Sequence, residues 1–348
     1  MLSVTIEPGF FAPPFGARTR ETVQNYVDSL LAWKGVLDSG HVFVHVSERT
    51  SEALLLSNSY PLRPWLRALL AEARVVEYDA NTIAIVAETV LARSASLEEA
   101  IRVTDLLAED LRMTPSLVYE DAPEEIRAAT ERVVLMLAIV RAFGTDAIAL
   151  TNGIVIRETR NVPEVNIRAV ITILEHTRTD LGEMGDLPKA FEGRSIICPS
   201  FHDYLMALDE CTLWRLAKSD AEMEIAIKTS HYKGRALRGE LTAWEALPTF
   251  RLNAKFLRSV KACRAQEDAA LGRSSLRAIS ETIDGLQMAA THILRTGEGP
   301  NDPPITRGVD HAWRRDVDHE YHLHYWLCGD GQLELSCIVR HNTFEINR

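Results

Sequence analysis

No stretch of the 348-residue chain approaches the roughly 20 consecutive apolar residues that cross a bilayer. The opening residues, Met-Leu-Ser-Val-Thr-Ile-Glu-Pro, lack the basic-then-apolar order of a secretory leader, so a cytoplasmic protein with no membrane partner is expected. Cysteine is scarce: Cys198, Cys211, Cys263, Cys328 and Cys337 are scattered, odd in number and never spaced C-x-x-C. That excludes a zinc knuckle and a disulfide framework and fits a reducing compartment. There is no glycine-rich phosphate loop, internal repeat or low-complexity tract. The zincin motif is also missing, because His319 and His322 are three apart where H-E-x-x-H needs four. A net charge of −11 excludes a uniformly basic nucleic-acid binder.

What is present is an ordinary globular composition, 46% apolar and 25% charged, with length enough for two cores. The acidic excess is uneven. From Pro248 onward there are 13 Lys+Arg and 13 Asp+Glu, against 25 and 36 before it. A boundary near Leu247 is therefore expected, with an acidic, helix-rich α/β domain over 1–247 and a small domain over 248–348.

In the first domain, apolar residues three and four apart predict helices over Thr22–Trp33, Ser51–Leu56, Pro64–Ala73, Ala80–Arg93, Ser96–Leu111, Glu124–Phe143, Val165–His176, Phe201–Lys218 and Asp220–Leu237. Ser96-Leu-Glu-Glu99 has the spacing of a capping box. His41–Val46 and Arg74–Tyr78 read as strands, and Ala147–Ile156 as a hairpin turning at Asn152-Gly153. Asp79 and Ser200 read as helix N-caps rather than functional groups. Arg157, Arg160 and Arg168 read as a solvated basic edge. No function emerges for this domain.

The last hundred residues hold six of the 11 histidines: His292, His311, His319, His322, His324 and His341. Glu320, His322, His324 and Trp326 alternate with Tyr321, Leu323, Tyr325 and Leu327, the period of a strand with one buried face. Gly329-Asp-Gly331 supplies a turn, and Gln332–Val339 alternates again. Tyr321, Leu323, Tyr325, Leu333, Leu335 and Cys337 are expected in a core. His322, His324 and Trp326 are expected on the other face with Glu334, Ser336 and Arg340. Such a face fits three roles: acid/base chemistry, a partner-binding surface, or metal ligation. Trp313 and Trp326 read as packing more than as stacking platforms, and Arg340 as a partner for Glu334.

The order of elements from Pro248 is a strand (Thr249–Asn253), two helices (Ala254–Arg264 and Leu276–Leu286), then three strands. Local phrases accompany it: Phe256-Leu-Arg-Ser-Val-Lys261, Arg307-Gly308, Trp313-Arg314, Tyr321-His-Leu-His-Tyr325 and Arg340-His-Asn-Thr-Phe344. Together they resemble the RelE/ParE toxin superfamily over roughly the last 100 residues. The resemblance implies a small domain built on a central antiparallel sheet, and so an α+β, mixed α/β chain overall. It implies an endoribonuclease that needs no metal or other cofactor and cuts mRNA, on the ribosome in the RelE-like members, by attack of a ribose 2′-hydroxyl on the adjacent phosphate. That chemistry needs a base, a cation facing the phosphorane and an acid. By matching position, His322 stands where the hairpin's catalytic arginine is usual, and Arg314 on the preceding strand with Asp316 beside it. Arg340 and His341 stand before the aromatic Phe344, and His324 completes the set.

The chain departs from that pattern in charge. RNA-binding toxins are basic, whereas Asp316, Asp318 and Glu320 crowd this face. Two functions stay open at this level. One is an RNA-cleaving effector restrained or targeted by its N-terminal domain, in a toxin–antitoxin or antiphage setting, with mRNA, the ribosome or an antitoxin-like protein as partner. The other is a non-catalytic scaffold that binds a partner protein.

Overall fold

The computed structural model describes residues 2–117, 121–157, 163–181, 187–240, 242–299 and 301–347. The chain is mixed α/β and divides into two compact units, Met1–Ala207 and Leu208–Arg348. Among the described residues no helix is long and apolar enough to cross a membrane.

The first unit carries a seven-stranded sheet. Its strands are β1 (Leu2–Ile6), β2 (Val42–Val46), β3 (Ala95–Ser96), β4 (Val103–Thr114), β5 (Gly153–Val155), β6 (Glu164–His176) and β7 (Lys189–Cys198). They lie in the order β3-β2-β1-β5-β7-β6-β4. Neighbours from β3 to β7 run parallel, and β6 is antiparallel to both β7 and β4. The helix Glu124–Phe143 buries every residue from Val133 to Val140 in the core it shares with this sheet. An eight-residue apolar run in the middle of a helix requires that: it has no side to give to water.

Several local expectations hold. The helices Ala80–Arg93, Glu124–Phe143 and Asp220–Leu237 form over the expected residues. Asp79 caps the first by accepting from Thr82 N at 2.9 Å, and Ser96 caps Leu97–Ile101 by accepting from Glu99 N. Ser200 likewise accepts from Asp203 N, at the start of Phe201–Ala207.

Others are overturned. Residues 165–176 form strand β6, with Val165, Ile167, Ala169, Ile171 and Ile173 buried in strict alternation. The dense apolar run Ala169–Leu174 masked that period, although its β-branched content favours a strand. The helix after Ser96 stops at Arg102, whose φ of 57° turns the chain into β4. No strand forms at Arg74–Tyr78.

Asn152-Gly153 turns no hairpin either. Ala147–Thr151 is helical, Asn152 bonds Thr5 and Ser3, and Gly153 opens the central strand β5. A Cβ at Gly153 would lie 3.0 Å from the Tyr204 ring and 3.1 Å from Cys198 Sγ, so this glycine serves a close approach and not a turn. Of the expected basic edge, Arg157 stacks on Tyr26 and Arg168 pairs with Glu192, while Arg160 lies outside the described residues.

The unit boundary also differs from the expected Leu247. Phe201–Lys218 is interrupted at Leu208-Asp209, where Asp209 caps a new helix, Glu210–Leu216. This helix and Asp220–Leu237 belong with the C-terminal sheet. Trp214, Met223 and Ile227 share one core with Phe256, Val260, Ile279, Leu323, Tyr325 and Leu335. Asp284 receives His231, Arg235 and Arg238 from the second of these helices. The helices lie outside 248–348 in sequence but within its core, so the compact unit begins at Leu208.

The sheet of the second unit contains β8 (Phe250–Leu252), β9 (Thr291–Ile293), β10 (Thr306–Arg307), β11 (Asp310–Asp316), β12 (Tyr321–Leu327) and β13 (Leu333–Arg340). The helices Phe256–Ala262 and Ala269–Ile283 fall between β8 and β9. The order is β10-β11-β12-β13-β8, and β9 also pairs with β11. The sheet is antiparallel from β10 to β13, but β8 joins β13 in parallel, which makes it mixed rather than wholly antiparallel. The expected turn after β12 is present, with Gly331 at φ 81° donating to Cys328 O at 2.8 Å.

Candidate functional site

One face of the second sheet packs on the helices through Leu323, Tyr325, Leu335 and Ile338. Residues directly opposite in a ladder share a face. Arg314 lies opposite His324 and Asp316 opposite His322, while His292 of β9 lies opposite Arg314. The other face therefore carries His292, Arg314, Asp316, His322, His324 and Trp326.

Most of this face is not open to solvent. After β13 the chain folds back across it. Phe344 and Ile346 pack with Leu294, Ala312, Trp326 and Cys328 into a second small core. Asn347 accepts from Trp326 Nε1 and from the Ser336 hydroxyl, and its amide donates to Ser336 O. His324 is fully buried beneath this segment and donates Nδ1–H to Glu345 O at 2.9 Å. Burial pushes its pKa down to about 4, so the ring is neutral at physiological pH with Nε2 unpartnered. His324 is therefore a packed core histidine. Trp326 is likewise buried, under the Arg307 guanidinium at 4.7 Å, and offers no platform to a base.

At the edge of the covered region the geometry changes. His322 is only 1% exposed, yet its Nε2 lies 3.0 Å from Asp316 Oδ1, and Asp316 is 45% exposed. The ring of His341, which is exposed, lies 4.1 Å from that of His322, centre to centre. His322 has a lowered pKa. Burial is the largest cause, the positive charges of His341 and Arg314 add to it, and Asp316 opposes them. A neutral His322 donates Nε2–H to Asp316, which fixes the tautomer and leaves Nδ1 without a partner. Asp316, His322 and His341 each offer one ligand-type atom, all within 4.8 Å of one another.

His341 opens onto a cleft of about 710 Å³ lined also by His292, Arg295, Glu298, Trp313, Arg314 and Phe344. Arg314 is half-buried, and its guanidinium has no hydrogen-bond or ion-pair partner among the described residues. A half-buried arginine is normally paired, so an unpaired one facing a cleft is a ready anion site. The acidic residues expected to spoil this face are mostly elsewhere. Asp318 accepts from Glu320 N and Tyr321 N in the turn between β11 and β12, and Glu320 is exposed beside His319. Among the described residues of the cleft wall, Glu298 is the one acidic group facing Arg295, Arg314, His292 and His341.

The sequence-expected set is thus largely brought together. Arg314, Asp316, His322, His324 and His341 converge, but with divided roles, because burial withdraws His322 and His324 from direct contact with a substrate. Arg340 does not join them. A bulge between His324 and Tyr325 shifts the register, placing Arg340 opposite Tyr321 and Val339 opposite His322. Nor does Arg340 pair with Glu334, which is held by Arg307 at 2.8 Å and by Asn253.

Two cleft residues were not singled out from the sequence. His292 sits on a three-residue strand too short to show a period, and Arg295 lies in the loop rich in Pro and Gly. Their signal was the clustering of histidine and arginine between 291 and 315.

A cleft of about 520 Å³ in the first unit is lined by Asp28, Arg157, Ser200 and Asp203. Its charges are already engaged: Arg157 donates to Ala12 O, Tyr78 to Asp28, and Ser200 to Asp203. Comparison with protein-family models, curated proteins and solved structures finds no match.

Proposed function

We propose that the second unit is an endoribonuclease that cleaves mRNA by metal-independent transphosphorylation at the cleft beside His341. The single observation that carries this reading is the unpaired Arg314 flanked by two accessible histidines, His292 and His341, in one cleft. Arg314 would face the phosphate, where negative charge grows on the equatorial oxygens. One histidine takes the proton of the ribose 2′-hydroxyl as that oxygen bonds to phosphorus. The other gives a proton to the 5′-oxygen as the P–O5′ bond breaks. The products are a 2′,3′-cyclic phosphate and a 5′-hydroxyl, with no proton or electron unaccounted for. The imidazole side chain can both take and give a proton, which suits it to both transfers. His322, anchored by Asp316, acts behind His341 as a positioning residue. Phe344 and Trp313 provide apolar wall against which a base can lie.

The order strand, two helices, then the antiparallel strands bearing these residues supports the RelE/ParE likeness and, with it, ribosome-bound mRNA as the substrate.

The test uses full-length protein with EDTA present, acting on free RNA and on translating ribosomes. Cleavage leaving a 2′,3′-cyclic phosphate, blocked by a 2′-deoxy sugar at the scissile position, is expected. His341→Ala should reduce it by about 10²–10⁴-fold. Inert protein on both substrates sinks the nuclease reading and leaves the partner-binding one.

A further inference from the structure

We infer that Asp316, His322 and His341 form a reversible binding site for one divalent transition-metal ion of the zinc type, and that its occupation switches the cleft off. The second half rests on the proposed nuclease reading; the first does not.

Three observations carry the site. Asp316 and His322 are directly opposite in the β11–β12 ladder, so two of the three donors are fixed by backbone hydrogen bonding. Their ligand-type atoms and that of His341 lie within 4.8 Å of one another. In a tetrahedral shell with bonds of about 2.0–2.1 Å, donor atoms stand roughly 3.4 Å apart, so closure needs only a small movement of exposed side chains. Burial is graded: His322 is an enclosed anchor, while Asp316 and His341 are exposed, giving the ion a path in and leaving room for water.

The donor chemistry selects the metal. Two imidazoles and one carboxylate suit zinc, cobalt or nickel, whereas magnesium and calcium want oxygen ligands and more of them. The surroundings set the strength. A metal-bound histidine usually donates its second ring N–H to a fixed acceptor, and losing that support costs about 10–100-fold in affinity. One ring nitrogen of His322 has no partner, and the His341 ring, which touches that of His322, has no hydrogen-bond or ion-pair partner among the described residues. The site therefore lacks the support of a permanent metal centre, and its occupancy follows the free ion concentration.

Coordination would take the lone pair that His341 needs for proton transfer and hold its ring away from the cleft. Of the two cleft imidazoles that the proposed reaction uses, only His292 would then be free to carry a proton.

The experiment titrates metal-stripped full-length protein with Co²⁺ and Zn²⁺. Expected are visible d–d bands from one bound Co²⁺ per chain, displaced by Zn²⁺, with affinity reduced at least about tenfold in His341→Ala and in Asp316→Asn. Both residues are exposed, and circular dichroism checks that the fold survives. RNA cleavage should fall in proportion to Zn²⁺ occupancy in the wild type. Absence of bands and of dialysable bound metal overturns the site. Binding unchanged in both variants places the metal elsewhere and overturns it equally. Binding that raises cleavage overturns the switch and the metal-free mechanism together. A protein that binds Co²⁺ through these residues but never cleaves RNA keeps the site and refutes only the nuclease reading.

Discussion

Cys337 stands directly across the ladder from His324, although strict alternation from Leu333 and Leu335 would turn it to the opposite face. The bulge responsible inserts one extra residue at Ser336, a common way for a sheet edge to re-aim side chains. Ile338 takes the core place opposite Leu323, and everything beyond the bulge changes sides.

The register shift predicts unequal arginines. Arg340→Ala should leave RNA cleavage within about threefold of wild type, while Arg314→Ala should cost roughly 10²–10³-fold, the scale for removing a charge-stabilising donor. Equal losses, measured as kcat/KM on one RNA substrate, would mean that the strand pairs without the bulge.

The unit boundary predicts a long-range effect of Asp284. Its side chain is 5% exposed and accepts from His231 and Arg235 at 2.8 Å and also from Arg238. Asp284→Asn should cost roughly 2–4 kcal/mol at neutral pH, because Arg235 and Arg238 lose the charge they share and the buried amide no longer offers three donors two anionic oxygens. Urea unfolding would read it, and a loss below about 0.5 kcal/mol, the level of ordinary surface substitutions, would detach the helix Asp220–Leu237 from this core.

The same pair fixes a pH response. Burial holds His231 below its ordinary 6.5 despite the pull of Asp284. The unfolded chain then binds the extra proton first, so stability falls as pH drops through 6.5. Burial raises Asp284, but the bonds from His231 and Arg238 outweigh it and hold the carboxyl below 3.8, so its contribution is lost only in stronger acid. Wild type should therefore lose urea resistance between pH 7 and pH 5, and His231→Gln should lose less of it over that interval.

The segment that follows β13 predicts a fourth outcome. Removing residues 344–347 uncovers Trp326 and leaves His324, Trp326 and Ser336 without their partners. A cost of roughly 3–5 kcal/mol is expected from several lost hydrogen bonds and an opened apolar cluster. The denaturation midpoint measures it, with a red shift of tryptophan emission as a second readout. Asn347→Ala, which keeps the backbone contacts, should cost only about 1 kcal/mol.

Much of this molecule was legible from local pattern. Period-two alternation placed β12 and β13, and capping residues placed helix starts, because those signals depend on neighbours a few residues away. Long-range choices were not legible. Asn152-Gly153 carries the local signature of a hairpin, but Asn152 is spent on Thr5 and Ser3, distant in sequence. The bulge at Ser336 adds no letter that alternation would flag. Residues converging on the cleft were visible as a histidine-rich face. Which of them solvent reaches was not, because Glu345 and Asn347 decide it by covering His324 and Trp326.

That covering has a consequence in time. Translation delivers β11 and β12, with Arg314, Asp316 and His322, well before Phe344 to Asn347. Until those later residues have left the ribosome and crossed the sheet, Trp326 and His324 lack their lid. A chain whose synthesis has stopped short of Phe344 would therefore carry a second sheet with Trp326 uncovered and His324 without its backbone acceptor.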